Sequence, residues 1–443
     1  MSTAPKSKPP NAYLLNVSVE NLRCFGERQT LDLSDGEGRP ARWTVILGDN
    51  GVGKTSLLQA IALLGRPVTP TPAVVILDSL SPMLLSSGAF SRREHSQAAS
   101  VGLEFLVGRA LSAVSGQGRR RSLEWQRGDS GFQVGGDHPE LHGWQCYGYG
   151  ALRRIGRGTT LSRDVQQRNS ETLFSDYAEL INAEEWLLQA DYAAAKDKDG
   201  KQGAAERLDL IKRTLVDLLP DVQEISINDP KAVGFYATVV FRTIDGECSM
   251  QSLGLGYRTT IAWLVDLAAR MVRRYPDSAN PIAEPAVVLV DEIDLHLHPA
   301  WQRTLMTFLS ERFVNTQFIV TAHSPVVVQA AAGANIAVLR REGDQVIIDQ
   351  RARSIQGWRV DQLLTSDLFD LPSARAAPYD DLLSERRGLL EKRRLTGKDK
   401  ARLRILDDRM KELPAGDHPD DAEALRVIRE AADLIKRQGA AGS

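Results

Sequence analysis

The octet Gly48-Asp49-Asn50-Gly51-Val52-Gly53-Lys54-Thr55 constrains this chain more than any other stretch. It has the form G-x-x-x-x-G-K-T, in which the glycines let main-chain N–H groups converge on phosphate. The pattern needs a buried strand before it and a helix after it. Trp43-Thr44-Val45-Ile46-Leu47 reads as that strand, and Ser56 to Leu64 reads as that helix. Gly48, Asp49, Asn50, Gly51, Val52, Gly53, Lys54, Thr55 and Ser56 are therefore expected to hold ATP. Lys54 would reach the β and γ phosphates, and the Thr55 hydroxyl would be a Mg²⁺ ligand.

Three downstream stretches fit a nucleotide held there. Ala286-Val287-Val288-Leu289-Val290 is a continuous apolar run of the kind found in a central parallel strand, and Asp291-Glu292 ends it. Asp291 is expected to hold Mg²⁺ through water, and Glu292 to act as general base toward the attacking water. A second strand, Gln317 to Thr321, runs into Ala322-His323-Ser324-Pro325, which places His323 where it can sense the γ phosphate. The small-residue loop Gln251-Ser252-Leu253-Gly254-Leu255-Gly256 precedes a long helix over about 257–274, and a helix start is a ready phosphate binder. His296 and His298 lack a convergent third ligand, so the loop around them reads as a subunit contact rather than a metal centre.

The remaining chain is ordinary in composition. Among 443 residues, 25% are charged and the formal net charge is −2, which gives no bulk signature of nucleic-acid binding. Cys24, Cys146 and Cys248 lack metal spacing and suggest a reducing, cytoplasmic setting without disulfides. No apolar run is long enough to span a membrane. Alternation predicts strands at 13–19, 21–26, 29–33, 101–107, 122–125, 144–150, 224–227, 235–241, 336–339 and 345–348, with an irregular excursion over 65–100 containing one apolar run, Val74 to Leu77. Arg119-Arg120-Arg121 reads as a solvated hairpin tip. Residues 160–220 read as a helical insertion, with Leu173, Tyr177, Leu180, Ile181, Trp186 and Leu187 at helical spacing. After a linker at 375–378, Leu403, Leu406, Met410 and Leu413, then Leu425, Ile428, Ala432 and Ile435, predict amphipathic helices.

The order of these parts resembles the ABC-type ATPases, and within them the RecF/Rad50/OLD branch. The segments carrying the likeness are Val19 to Phe25, Asp291 to Pro299 and Thr321 to Pro325. The stretch Gly357 to Phe369, followed by a charged tail, is similar to the PtuA ATPases of Septu-type anti-phage defence, whose relatives accompany some retrons. The resemblance implies an α/β fold. An ABC-type P-loop NTPase core would pair a mixed sheet with an antiparallel N-terminal subdomain, a compact helical insertion and a helical C-terminal tail. The implied division is 1–159 and 223–350 for the two halves of the core, 160–222 for the insertion, and 351–443 for partner binding. It further implies a head-to-tail homodimer, or a higher oligomer of dimers, in which Ser252, Gly254 and Gly256 of one copy face the nucleotide of the other. Gln145 is the expected Q-loop residue, with Arg153 as its substitute. The family's signature serine aligns with Gly254 here, so Ser252 and Gly254 stay alternatives. No Toprim, HNH or reverse-transcriptase pattern occurs in this sequence. A separate HNH nuclease subunit docked on the C-terminal helices is the implied partner, with nucleic acid reached through the complex. Two other readings remain: a RecF-like repair ATPase that binds DNA directly, and a non-hydrolysing scaffold assembled by nucleotide.

Overall fold

The computed structural model describes residues 12–64, 99–107, 111, 119–128, 131–136, 144, 146–156, 169–197, 203–228, 237–331, 333–350, 355, 357–371, 373–376, 378–392 and 396–411. The described residues form two units, one up to Phe369 and one from Asp370 onward.

The first unit is organised by a six-stranded sheet. Its strands are β3 (Trp43–Gly48), β7 (Cys146–Tyr149), β11 (Ala286–Val290), β12 (Thr316–Thr321), β13 (Asn335–Glu342) and β14 (Gln345–Asp349). They lie in the order β14-β13-β3-β12-β11-β7, and every neighbouring pair is parallel except the β13–β14 hairpin at one edge. Both faces of this sheet are covered, which explains the continuous apolar runs. Val45, Leu47, Val288, Val290, Phe318 and Val320 enter one core, while Ile46, Val287, Leu289 and Ile319 enter the other.

The second of these cores lies under an antiparallel sheet of β1 (Ala12–Glu20), β2 (Gln29–Asp32), β4 (Ala99–Val107), β5 (Arg119–Gly128) and β6 (Gly131–Gly136), ordered β2-β1-β4-β5-β6. Helix α1 (Lys54–Leu64) fills the space between the sheets through Leu57, Leu58, Ala60 and Ile61. One side chain stitches the sheets together. The fully buried Gln317 amide accepts from Leu14 N and donates to Leu14 O, both at 2.8 Å.

The opposite face carries α2 (Ala183–Lys196), α3 (Ala204–Leu218), α4 (Leu255–Arg274), α5 (Pro299–Arg312) and α6 (Pro325–Ala330), with a three-stranded sheet of β8 (Val222–Asn228), β9 (Thr238–Thr243) and β10 (Gly246–Ser249). Helix α4 buries Ile261, Leu264, Val265 and Ala268 at i, i+3, i+4, i+7 spacing and ends on Arg273 and Arg274, which suit its negative C-terminal end. Pro299 at the first position and a His298 side-chain cap start α5. A short α7 (Val360–Leu364) closes the unit. The architecture has the parts expected above: a mixed α/β sheet with an antiparallel subdomain and added helices.

Several expectations fail locally. Residues 21–26 form a turn rather than a strand, with Asn21 and Arg23 at φ 51° and 52°. Arg23 donates to Ser56 Oγ (2.8 Å) and Gln59 Oε1 (3.1 Å), so the turn is anchored on α1. Arg119, Arg120 and Arg121 begin β5 opposite Val107, Leu106 and Phe105, not a loop. Leu173 lies in a one-turn 3-10 helix, and Tyr177 is 85% exposed on irregular chain; among the described residues of the insertion, α-helix begins at Ala183. Gln145, the run 74–77, Phe235-Tyr236 and residues 412–443 lie outside the described residues.

The second unit contains α8 (Pro378–Leu390) and α9 (Gly397–Lys411). Leu389 and Leu406 are buried, Arg402 forks onto Glu385 at 2.7 Å through both nitrogens, and Arg386 pairs with Asp407. Thr396 and Asp399 exchange side-chain and main-chain bonds in a capping box that starts α9.

Candidate functional site

All the parallel strands deliver their chemistry to the carboxyl edge of the sheet, where open α/β folds bind ligands. The octet leaves β3 there, Asp291-Glu292 leave β11, and Ala322-His323 leave β12. Gly53 shows why the octet needs glycine: its φ is 98°, and a Cβ would sit 2.4 Å from Cys24 Sγ. The turn at 21–26 thus forms the back wall of the loop.

Lys54 is only 6% exposed, and its ammonium donates to Gly48 O at 2.7 Å and Asp49 O at 2.8 Å. Burial pushes its pKa down, while Asp291, Glu292 and Asp49 oppose the shift. Among these carboxylates it is a buried cation held on two carbonyls of the loop, which suits phosphate. Thr55 Oγ1 donates to Asp291 Oδ2 at 2.6 Å. That contact brings together two hard oxygen donors, the partial ligand set that Mg²⁺ uses beside substrate phosphates. These residues fit the metal. Among the described residues no cluster of three or more His, Cys, Asp or Glu could hold one alone.

Sequence reasoning overlooked Thr321. Its buried hydroxyl donates to Asp291 Oδ1 at 2.6 Å and accepts from Glu292 N at 2.7 Å, while its carbonyl accepts from Ile293 N at 3.0 Å. A threonine ending a strand has no motif of its own, although its place in Thr321-Ala322-His323 at the edge beside β11 was the available signal. Asp291 is therefore held by Thr55 and Thr321, one on each carboxylate oxygen. Glu292 is half-buried with φ 49°, a region that is costly for a non-glycine residue, on the order of 1–3 kcal/mol. His323 is exposed, and its backbone N–H donates to Asp294 Oδ2 at 2.9 Å.

The 251–256 stretch follows β10 and leads into α4. Ser252 is exposed and ends a 3-10 turn, with its hydroxyl 3.2 Å from Ser249 Oγ. Gly254 is the N-cap of α4, and Gly256 packs on the histidine loop so closely that a Cβ would lie 2.3 Å from His296 O. A cavity of about 640 Å³ separates this loop from the segment after β7; its walls include Arg153, Arg154, Asn182, Gln251 and Arg258.

The chain is similar in sequence to several known proteins. Residues 158–329 match a family model described as "AAA domain, putative AbiEii toxin, Type IV TA system", and residues 16–64 match one described as "AAA domain". "Septu protein PtuA" of Bacillus mycoides (strain KBAB4) is 27% identical over 363 residues, covering 81% of this chain and 45% of that protein. "Retron Ec83 probable ATPase" of Escherichia coli is 34% identical over 160 residues, covering 35% and 28%. Over these segments the chain is similar to Septu and retron ATPases. It spans less than half the length of either relative. Among solved structures, the SMC head domain from Thermotoga maritima aligns over 77% of this chain and 100% of its own, at 13% identity and a TM-score of 0.43. No helix among the described residues is long and apolar enough to cross a membrane.

Proposed function

We propose that this chain is the ATPase subunit of an anti-phage defence complex: it binds and hydrolyses ATP as a head-to-tail dimer and governs a separate HNH nuclease. The observation that carries the reading is the linkage Thr55–Asp291–Thr321–Glu292 beside the buried Lys54. It provides a phosphate cradle, a cation, two oxygen donors and a fixed acid at one sheet edge. Lys54 and the loop N–H groups bind and orient the phosphates of ATP. Thr55 and Asp291 offer oxygens to Mg²⁺, which when bound neutralises phosphate charge. Glu292 takes the proton of the attacking water, and His323 contacts the γ phosphate from the end of β12. Ser252 or Gly254 of a second copy completes the site from outside, so turnover depends on assembly. The helices α8 and α9 dock the nuclease.

The test is turnover and assembly of the purified chain. Glu292→Gln is expected to keep ATP binding, to lose at least about a hundredfold in hydrolysis, and to accumulate dimers with ATP by light scattering. Lys54→Ala is expected to lose both binding and ATP-dependent dimers. Unchanged hydrolysis in Glu292→Gln rejects the assignment of the base. Stable assembly of Lys54→Ala with no phosphate release from the wild type favours the scaffold reading. Tight, salt-sensitive DNA binding by the chain alone favours the repair reading.

A further inference from the structure

Arg153 ends the run Tyr149-Gly150-Ala151-Leu152-Arg153 that leaves β7. It is only 5% exposed, with φ 38°. A guanidinium so far from water is commonly met by a carboxylate. Here it meets main chain instead: one terminal nitrogen donates to Asp291 O at 3.4 Å and, more closely, to Glu292 O. These are the two carbonyls of the turn that leaves β11. Burial pushes the guanidinium down to about 10, opposed by Asp291, Asp294 and Glu292, so it remains charged at neutral pH.

The Glu292 residue is therefore gripped at both ends. Its N–H is taken by the Thr321 hydroxyl at 2.7 Å, and its carbonyl accepts from Arg153 on one side and from Leu295 N of its own turn, at 3.1 Å, on the other. Between the two grips lies a φ of 49° that few non-glycine residues adopt unaided. We propose that Arg153 is a positioning residue for Glu292: by holding the carbonyls of Asp291 and Glu292 it fixes the left-handed turn that aims the Glu292 carboxylate at the attacking water. This rests on the ATPase reading above and adds a residue to it. The clamp also forms a wall of the cavity that Gln251, Arg258 and Thr259 share.

Lysine is expected to substitute only in part, because its ammonium is more strongly hydrated and sits on a more flexible stem, so it is less readily held in a buried main-chain contact than a guanidinium. The test uses the full-length chain with Arg153→Met and Arg153→Lys. Misplacing a reacting group by about 1 Å costs roughly a hundredfold in rate. Arg153→Met is expected to lower kcat by about 30- to 100-fold while the Kd for a fluorescent ATP analogue stays within about twofold, and Arg153→Lys to recover part of kcat. Single-turnover measurement gives the sharper readout. In a Glu292→Gln background, Arg153→Met should slow hydrolysis no further, because the group it positions is already gone. Multiplied losses in the double variant overturn the proposal, as does a loss confined to Kd, or an Arg153→Met rate within about threefold of wild type. If Arg153→Met does not fold, Arg153→Lys decides: intact Kd with a kcat at least about tenfold lower supports the clamp, and wild-type kcat overturns it. Absence of turnover in the wild type overturns the ATPase reading itself, an outcome distinct from active wild type with an unaffected Arg153 variant.

Discussion

Replacing Thr321 by valine keeps the shape of a fully buried side chain and removes one oxygen. Two bonds are lost. The first is to the Asp291 carboxylate at 2.6 Å, a bond to a charged group worth about 1.5–3 kcal/mol. The second leaves Glu292 N–H without its acceptor, at a cost of about 1–3 kcal/mol. The extra methyl of valine returns at most about 0.8 kcal/mol. The net loss is about 2–5 kcal/mol, a large share of the roughly 5–15 kcal/mol that holds a typical domain together. In thermal melting this corresponds to a fall of roughly 4–10 °C at about 2 °C per kcal/mol for a unit of this size. Thr321→Ser is the control: it keeps the hydroxyl, loses one methyl, and should cost about 1 kcal/mol. Under the proposed function, hydrolysis should also fall by about tenfold or more in the valine variant and stay near wild type in the serine variant. A Thr321→Val protein that melts with the wild type, or a Thr321→Ser protein that melts as low as the valine one, refutes the argument.

Gly53→Ala should destabilise the protein and weaken nucleotide binding, since its Cβ would meet Cys24 Sγ at 2.4 Å at a φ of 98°. Adding Cys24→Ala should restore the share due to the clash but not the share due to φ, which a double-mutant cycle of melting temperatures separates. Asp399 has its carboxyl pulled down to about 2, first by the Lys392 hydrogen bond and then by Thr396. Because the folded value is depressed, its contribution to the α9 cap is complete above the ordinary carboxylate value and is lost as pH falls toward about 2. Hydrogen exchange in the first turn of α9 should therefore quicken over that acid range relative to the intrinsic rate, and Asp399→Asn should abolish the dependence.

What the sequence made legible follows from what each residue must do alone. The runs at 43–47, 286–290 and 317–321 are apolar on both faces because both faces are covered, so the central strands were plain. The octet is legible because the demands of phosphate on a main chain are narrow. Thr321, Arg153 and Gln317 were not assigned their structural roles, since each depends on register between distant strands. Thr321 meets Asp291 only because β12 lies beside β11, and Gln317 meets Leu14 only because two sheets face each other there. The stretch 21–26 misled because its apolar alternation mimics a strand, whereas Leu22 and Phe25 are buried from a turn whose backbone twice enters the left-handed region. Leu173 and Leu180 are likewise both buried at a helical interval, yet a one-turn 3-10 helix carries the first and irregular chain the second. Periodicity registers burial and is blind to the route the chain takes between buried points.

The Gln317–Leu14 stitch has a consequence for synthesis. Its two ends are 303 residues apart. At about 5–20 residues per second, the ribosome delivers the second end roughly 15–60 s after the first. Strand β3 waits as long, because both of its sheet neighbours come from the same late portion of the chain. During that interval the octet can be present on the nascent chain without a sheet edge to organise it. A growing chain is thus barred from holding nucleotide in the finished geometry until almost the whole core has emerged, and a truncated product that stops before β12 carries the motif without the site.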